Sequence, residues 1–315
     1  MLKAAQRRLL LQRMAIACAI LVLAITSLSA YIRLGNVGLG CADWPQCYGS
    51  KLRQAQQGID TRSAESGGTV AARMVHRIVA VAALLLIIVM AMACFAGRPV
   101  LWREGWMALT LLVLALFLAV LGRWSGGARV PAVNIGNLLG GFAMLAFCWR
   151  LHQRAGAPPA APEDLRMRLL AWLAVVALLG QIALGGLVSA GFAGLSCTGM
   201  PGCDANVPVS MTLDALDPWR EPVFPATQTP PANPAGAAAH MAHRYGAVAI
   251  LLAVALLAWS ALRAGRRRAG WALLGLLGGE IALGVLLVSQ SLPLGVALAH
   301  NLTAALMLAA LFALV

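Results

Sequence analysis

The sequence predicts an all-α fold, namely a polytopic membrane protein whose eight transmembrane helices form two tandem four-helix repeats. Three observations support this prediction. Hydrophobic residues make up 61% of the chain and charged residues only 11%, whereas soluble domains average about 45–50% and 25%. Eight apolar segments are long enough to cross a bilayer. One cysteine pattern occurs twice, each time between an apolar run and a His-Arg pair.

The predicted spans follow one another along the whole chain. They lie near residues 12–31, 74–96, 105–122, 132–149, 169–190, 241–262, 270–289 and 295–315. Segments of this length and number satisfy their backbone polar groups in lipid only as a helical bundle. The first span also resembles a cleavable secretory signal. Its counterpart in the second repeat lies mid-chain and cannot be a signal, so we expect the first span to be retained.

The repeated cysteine pattern divides the chain into two halves. GLGCADWPQC ends at Cys47 and GLSCTGMPGC ends at Cys203, and both read Gly-Leu-x-Cys, three residues, Pro, one residue, Cys. Repetition over such a distance indicates an internal duplication. We predict an N-terminal four-helix repeat at residues 1–150, a cytoplasmic linker at 151–168 and a C-terminal repeat at 169–315.

The distribution of charge predicts the orientation in the membrane. If the N-terminus is inside, the short inner segments are strongly basic, with Arg98, Arg150 and residues 266–268 among them, while the outer segments mix both signs. Short basic inner loops are typical of the cytoplasmic side. We therefore expect a bacterial-type inner (plasma) membrane protein with both termini in the cytoplasm. The basic residues responsible for the net charge of +13 lie between the spans and form no continuous basic face. A nucleic-acid partner is therefore not expected.

The cysteines of the repeated pattern fall in two long outer loops. Their identical spacing in an oxidising space predicts the disulfides Cys41–Cys47 and Cys197–Cys203. A zinc site is an alternative, although it needs about four ligands and neither pair has a nearby His or third Cys. A redox-active thiol pair is a further interpretation, because short loops can hold reducible bonds.

Three histidines are placed at similar depth near the outer face. His76 and His243 occupy equivalent positions in the two repeats, followed by Arg77 and Arg244, and His300 lies near the outer end of the last span. An ionisable ring at that depth is costly without a partner or a ligand. The sixth and eighth spans run in the same direction, so two rings can hold one planar cofactor between them.

Iron porphyrin is the cofactor that this arrangement suits, because two imidazoles on facing helices supply both axial ligands. Arg244 and Arg77 are placed to pair with its propionates. The alternative interpretation is that the histidines only form hydrogen bonds between helices and that the arginines extend to the membrane surface.

These motifs resemble the heme A synthase family, eight-helix membrane enzymes of cytochrome c oxidase assembly. The resemblance covers essentially the whole chain and rests on RLGNVGLGCADWPQCYG, MVHR, LGRW, QIALGGLVSA, AHMAHRYGAV and AHNLTAAL. It implies oxidation of a methyl group of heme O to the formyl group of heme A. It also implies a heme b in the C-terminal half with His243 and His300 as axial iron ligands, and a substrate site for heme O in the N-terminal half that includes His76.

The N-terminal half departs from the family pattern at two positions. Asn137 aligns with His300 of the second repeat, and Arg73 stands where the family has a glutamate three residues before the histidine. A carboxamide is a poor iron ligand, and an arginine only donates hydrogen bonds. One interpretation is an active synthase in which His76 alone holds the substrate iron and Arg73 binds a propionate. The other is a catalytically altered paralogue acting in heme carriage, electron transfer or oxidase assembly.

Glu280 stands within the seventh span, where Gln181 is its analogue in the fifth. It is interpreted either as an interhelical hydrogen-bonding residue or as a proton relay near the heme b.

A membrane transporter is the alternative from a different class, because internal repeats and intramembrane polar residues also occur in transporters. The expected partners are the heme substrate, the bilayer and, through the family, heme O synthase or oxidase assembly factors, with oligomerisation left open.

Overall fold

The computed structural model describes residues 4–59, 67–125, 130–156, 164–203, 213–222 and 233–315. This part of the chain contains nine α-helices and no β-strand, which confirms the predicted all-α class. The helices are α1 (Ala4–Asn36), α2 (Ser50–Gln56), α3 (Gly67–Phe95), α4 (Trp102–Ser125), α5 (Pro131–Gly156), α6 (Leu165–Ala190), α7 (Ala237–Arg263), α8 (Arg267–Ser289) and α9 (Leu294–Phe312).

Every described helix except the short α2 is long and apolar enough to cross a membrane, which confirms the eight predicted spans. Large apolar side chains on their outer faces are exposed, such as Leu85 at 58%, Val113 at 67% and Leu252 at 67%. Such surfaces would be unfavourable in water and are ordinary against lipid. The fold is therefore that of a multi-pass membrane protein.

The spanning helices pack as two sets of four. In the first set, α1 packs against α3, α3 against α4, α4 against α5, and α5 closes against α1. In the second set, α6, α7, α8 and α9 follow the same order of neighbours. The sets meet through α5 and α9, with further contacts of α1 with α9 and of α5 with α6. This matching order supports the proposed repeat. Of the predicted linker at residues 151–168, residues 151–156 belong to α5 and 165–168 to α6, while 157–163 lie outside the described residues.

One continuous buried core joins all eight spanning helices. It contains Cys18, Cys94 and Cys148, which are fully buried, and the Sγ atoms of Cys148 and Cys18 lie 3.5 Å apart. These three cysteines thus behave as small apolar core residues. The contact of α1 with α9 also joins the two sets.

The loops after α1 and α6 lie side by side at one end of the bundle, here called the disulfide end. Both predicted disulfides form there, Cys41–Cys47 with Cα atoms 6.6 Å apart and Cys197–Cys203 with Cα atoms 4.7 Å apart. This finding favours the disulfide prediction over the zinc alternative. The described residues contain no group of three or more His, Cys, Asp or Glu side chains that could hold a metal ion.

The two loops are joined through Tyr48. Its ring packs edge-on against Phe192, and its hydroxyl accepts a hydrogen bond from the backbone N–H of Gly194 at 3.2 Å. The backbone explains why the repeated pattern begins with a glycine. Gly38 has φ +103°, and a Cβ there would lie 2.7 Å from the Cys47 carbonyl oxygen. The two disulfide loops are therefore packed against each other as one unit.

Candidate functional site

A cavity of about 510 Å³ lies inside the second set of helices near the disulfide end. Its walls are mainly apolar side chains of α6, α7, α8 and α9, and α1 and α5 of the first set add Leu34 and Phe142. The polar residues that line it include Arg33, Gln181, His240, His243, Arg244, Glu280, His300 and Asn301. A mostly apolar cavity with a few convergent polar groups is the usual form of a cofactor site.

The imidazole rings of His243 on α7 and His300 on α9 face each other across this cavity. Their centroids are 6.3 Å apart and their planes lie at 87°. A metal–imidazole bond is about 2 Å long and the ring centroid lies about 1 Å beyond the bonded nitrogen, so two rings on opposite sides of one metal have centroids about 6 Å apart. The observed separation fits a single metal between the two histidines.

The His243 ring is held from α6. Gln181 Nε2 donates to the His243 backbone carbonyl at 2.8 Å and lies 3.1 Å from His243 Nδ1. Gly185, one turn further along α6, leaves space for the ring, because a Cβ there would lie 3.0 Å from His243 Cε1. With Nδ1 beside the amide, Nε2 is the nitrogen available for a metal.

The His300 ring faces α8 at the corresponding position. Glu280 Oε1 lies 3.3 Å from His300 Nδ1, and Gly284, one turn further along α8, lies beside the ring, with a Cβ there 3.6 Å from His300 Cε1. A carboxylate behind a metal-binding imidazole orients the ring and raises its basicity. The two histidines therefore have chemically different partners, an amide for His243 and a carboxylate for His300.

The sequence contains a signal for these two partners beyond the equivalence of Gln181 and Glu280. Gln181 and Gly185 belong to QIALG, and Glu280 and Gly284 belong to EIALG. A spacing of four residues puts the polar residue and the glycine on the same face of a helix. A repeated polar-x-x-x-Gly element in the fifth and seventh spans would have indicated which helix face meets each histidine.

His240 and Arg244, both on α7, bind the second disulfide loop. His240 is buried, and its Nδ1 lies 2.9 Å from the carbonyl oxygen of Ala193. The Arg244 guanidinium donates to the carbonyl oxygens of Cys197 and Gly199 at 2.7 Å each, and also to those of Pro201 and Gly202. Both Nη atoms of Arg244 thus serve the loop, while its Nε has no partner within the described residues. The pairing of Arg244 with a propionate stays a prediction.

The predicted site residues of the first set do not line this cavity. His76 and Arg73 on α3 and Asn137 on α5 are half-buried, and Arg77 is exposed. Their helices correspond in packing order to α7 and α9, which carry His243 and His300. The structure therefore brings His243, His300, Glu280 and Arg244 to one cavity and leaves the predicted substrate-site residues in the other half of the bundle.

These features define an integral membrane helical bundle with a two-histidine site of the kind that binds heme. The chain belongs to the COX15-CtaA family, described as cytochrome oxidase assembly protein, whose model matches residues 12–312. It is similar to the heme A synthase of Shewanella oneidensis, with 32% identity over 305 residues that cover 92% of this chain and 91% of that protein. It is also similar to the heme A synthase of Methylobacterium nodulans, with 39% identity over 157 residues that cover 48% of this chain and 41% of that protein. The family expected from the motifs is confirmed.

Proposed function

We propose that this protein is a heme A synthase, an oxidoreductase that converts a methyl group of heme O to the formyl group of heme A for cytochrome oxidase biogenesis. The family match over residues 12–312 and the similarity to a heme A synthase along 92% of the chain support this function. The structural observation that carries the proposal is the pair of imidazoles, His243 and His300, with ring centroids 6.3 Å apart in an apolar cavity.

Heme b is the proposed resident cofactor of the second set, and the residues present fit it. His243 and His300 would hold its iron, while Gln181 lies beside Nδ1 of His243 and Glu280 beside Nδ1 of His300, which would leave each Nε2 for the iron. The apolar walls suit a macrocycle and exclude water. When bound, heme b would supply one-electron transfer to and from the reaction.

The substrate heme O is proposed to bind in the first set of helices. His76 would hold its iron from α3, at the position that corresponds to His243 in the repeat. Asn137, a poor iron ligand, stands in sequence register with His300 and would leave the opposite face of the substrate open. Arg73 and the exposed Arg77 would donate hydrogen bonds to the propionates and so orient the methyl group to be oxidised.

A second candidate function is supported by the same two positions. Arg73 and Asn137 stand where the family resemblance implies a glutamate and a histidine. An arginine cannot accept a proton as a glutamate does, so a chain with these residues can keep the heme b site and lose the oxidation. Such a paralogue would act in heme carriage, electron transfer or oxidase assembly.

The proposed setting is a bacterial-type inner membrane with both termini in the cytoplasm and the disulfide end outside. An outer location is supported by the two disulfides, because such bonds persist in oxidising compartments. Heme O synthase and oxidase assembly factors are the proposed protein partners. Either would meet the chain within or beside the bilayer, where the hydrophobic heme substrate is delivered and removed.

Complementation tests the function. The full chain is produced in cells that keep heme O synthase and lack their own heme A synthase, and the extracted hemes are separated by chromatography. Heme A is the expected product of the wild-type chain, and His243→Ala is expected to leave heme O. His152→Ala is the matched control, because His152 lies at the end of the bundle opposite the disulfides, with its ring stacked on Trp149. Heme-loaded protein that yields heme O alone would select the paralogue.

A further inference from the structure

Arg33 is a cation of the first set of helices that reaches the cavity of the second set. It lies in the last turn of α1 and lines the cavity beside the two-histidine site. Its Nη2 donates to the Oδ1 of Asn301, the residue after His300, at 3.0 Å. Its Nη1 is shielded from solvent and has no hydrogen-bond partner within the described residues.

A guanidinium placed in this way requires an anion. Burying a cation without a compensating charge is strongly unfavourable. Among the described residues that line the cavity, Glu280 is the only acid, and it stands at Nδ1 of His300. The protein therefore offers Arg33 a neutral amide on one side and no counter-ion within the described residues.

Both Nη atoms of the other cavity arginine are already committed. Arg244 donates through both Nη atoms to carbonyl oxygens of the second disulfide loop. Arg33 thus has a terminal Nη donor that is free to meet a carboxylate at the disulfide end of the cavity, whereas the unpaired donor of Arg244 is its Nε. The planar guanidinium of Arg33 suits a carboxylate better than a lysine ammonium would.

We infer that Arg33 binds a propionate carboxylate of the heme held between His243 and His300, so that the first half of the chain completes the cofactor site of the second half. This inference rests on the proposed function, because it presumes that heme occupies the two-histidine cavity. Asn301 positions the guanidinium through Nη2, and Nη1 donates to the carboxylate. The contact of α1 with α9 is then a binding element as well as a packing interface.

The test compares two probes on heme-free, full-length protein: heme b and its dimethyl ester, in which both propionates are neutral. Binding is followed by titration of the Soret band. The wild-type protein is expected to prefer heme b over the ester by about 10- to 100-fold, as one charge-assisted contact in a buried site provides. Arg33→Gln is expected to weaken heme b binding by that factor and to leave ester binding unchanged.

Arg123→Gln is the matched control. It removes the same charge at the disulfide end of α4, from an exposed side chain outside the cavity, and is expected to change neither affinity. Arg33→Lys is expected to fall between the wild-type protein and Arg33→Gln, since it keeps the charge without the fork.

Equal weakening of heme b and ester by Arg33→Gln would assign Arg33 a purely structural role and overturn the inference, as would no weakening at all. If Arg33→Gln does not fold, the wild-type comparison decides alone, and equal affinity for the two probes overturns the inference. A wild-type protein that binds neither probe would instead contradict the proposed function.

Discussion

The carboxylate of Glu280 on α8 lies behind the imidazole of His300 on α9, with Oε1 3.3 Å from Nδ1. The corresponding neighbour of His243 is the neutral amide of Gln181, 3.1 Å from Nδ1. The two candidate axial ligands are therefore unequal. A carboxylate beside Nδ1 makes that imidazole a stronger electron donor to a metal. A stronger donor favours the ferric over the ferrous state.

Glu280→Gln is expected to raise the midpoint potential of the bound heme b. The exchange makes the partners of His243 and His300 alike and removes the stronger acceptor. We expect the ferric-to-ferrous preference to fall by about tenfold, which corresponds to about 59 mV for a one-electron couple. Spectroelectrochemical titration of the purified protein measures the shift.

Gln181→Glu is the reciprocal control for that experiment. It places a second carboxylate behind His243 and is expected to lower the potential. The double exchange Gln181→Glu with Glu280→Gln moves the carboxylate from one ligand to the other and should return the potential close to the wild-type value. Identical potentials in all four proteins would contradict the assigned role of Glu280.

Gly185→Ala is expected to displace His243 and to weaken heme b binding. The added Cβ would lie 3.0 Å from His243 Cε1, so the ring or α6 must shift, and overpacking of this kind costs about 1–3 kcal/mol. Gly284→Ala is a control with the same change on the other side, because its Cβ would lie at an ordinary contact distance of 3.6 Å from His300 Cε1. Soret titration should show weaker binding for Gly185→Ala only, and equal losses would argue against the steric explanation.

Replacement of His76 and of His300 should distinguish the functions of the two halves of the molecule. His300→Ala removes one proposed axial ligand and is expected to abolish the low-spin heme b spectrum. His76→Ala lies outside that cavity and is expected to keep this spectrum while heme A formation falls to background. Absorption spectra and extracted hemes are measured on the same preparations. Unchanged heme A production in His76→Ala would contradict the proposal that α3 forms part of the substrate site.

Tyr48→Phe should loosen the contact between the two disulfide loops. The Tyr48 hydroxyl accepts from the Gly194 N–H, and leaving that buried donor unpaired costs about 1–3 kcal/mol of unfolding free energy. Burial also raises the pKa of Tyr48 above its usual value. The folded state favours the neutral phenol, so the raised pKa of Tyr48 contributes to the free energy of unfolding. This contribution is present below about pH 10 and is lost as the pH rises through the higher pKa of the folded state.

Thermal unfolding in detergent at several pH values measures both effects. Tyr48→Phe is expected to unfold at a lower temperature near neutral pH and to lack the alkaline loss that Tyr48 contributes in the wild-type protein. Tyr31→Phe is the control, because it removes a hydroxyl from α1 outside the loop contact. A neutral-pH stability equal to the wild-type value would show that the Gly194 N–H does not depend on Tyr48.

Hydropathy and spacing alone predicted the spans, the disulfides and the pair His243 and His300. These features are local: a bilayer requires apolar segments of a certain length, and a disulfide between cysteines six residues apart closes within one loop. A histidine one turn inside a span is likewise visible along the chain. Two imidazoles on parallel helices already predict heme as the ligand of the pair, and the family resemblance implies the same cofactor.

The tertiary structure decided which side chains surround those histidines. Arg33 looks in the sequence like one more charge at the membrane surface, and only the packing of α1 against α9 turns it into the cavity of the other half. The position of Arg244 beside His243 predicts a propionate partner, and only the fold of the second disulfide loop shows that four carbonyl oxygens surround its Nη atoms. Composition and periodicity describe one helix at a time, whereas these contacts depend on the rotation and neighbours of several helices, which are set by packing across the whole bundle.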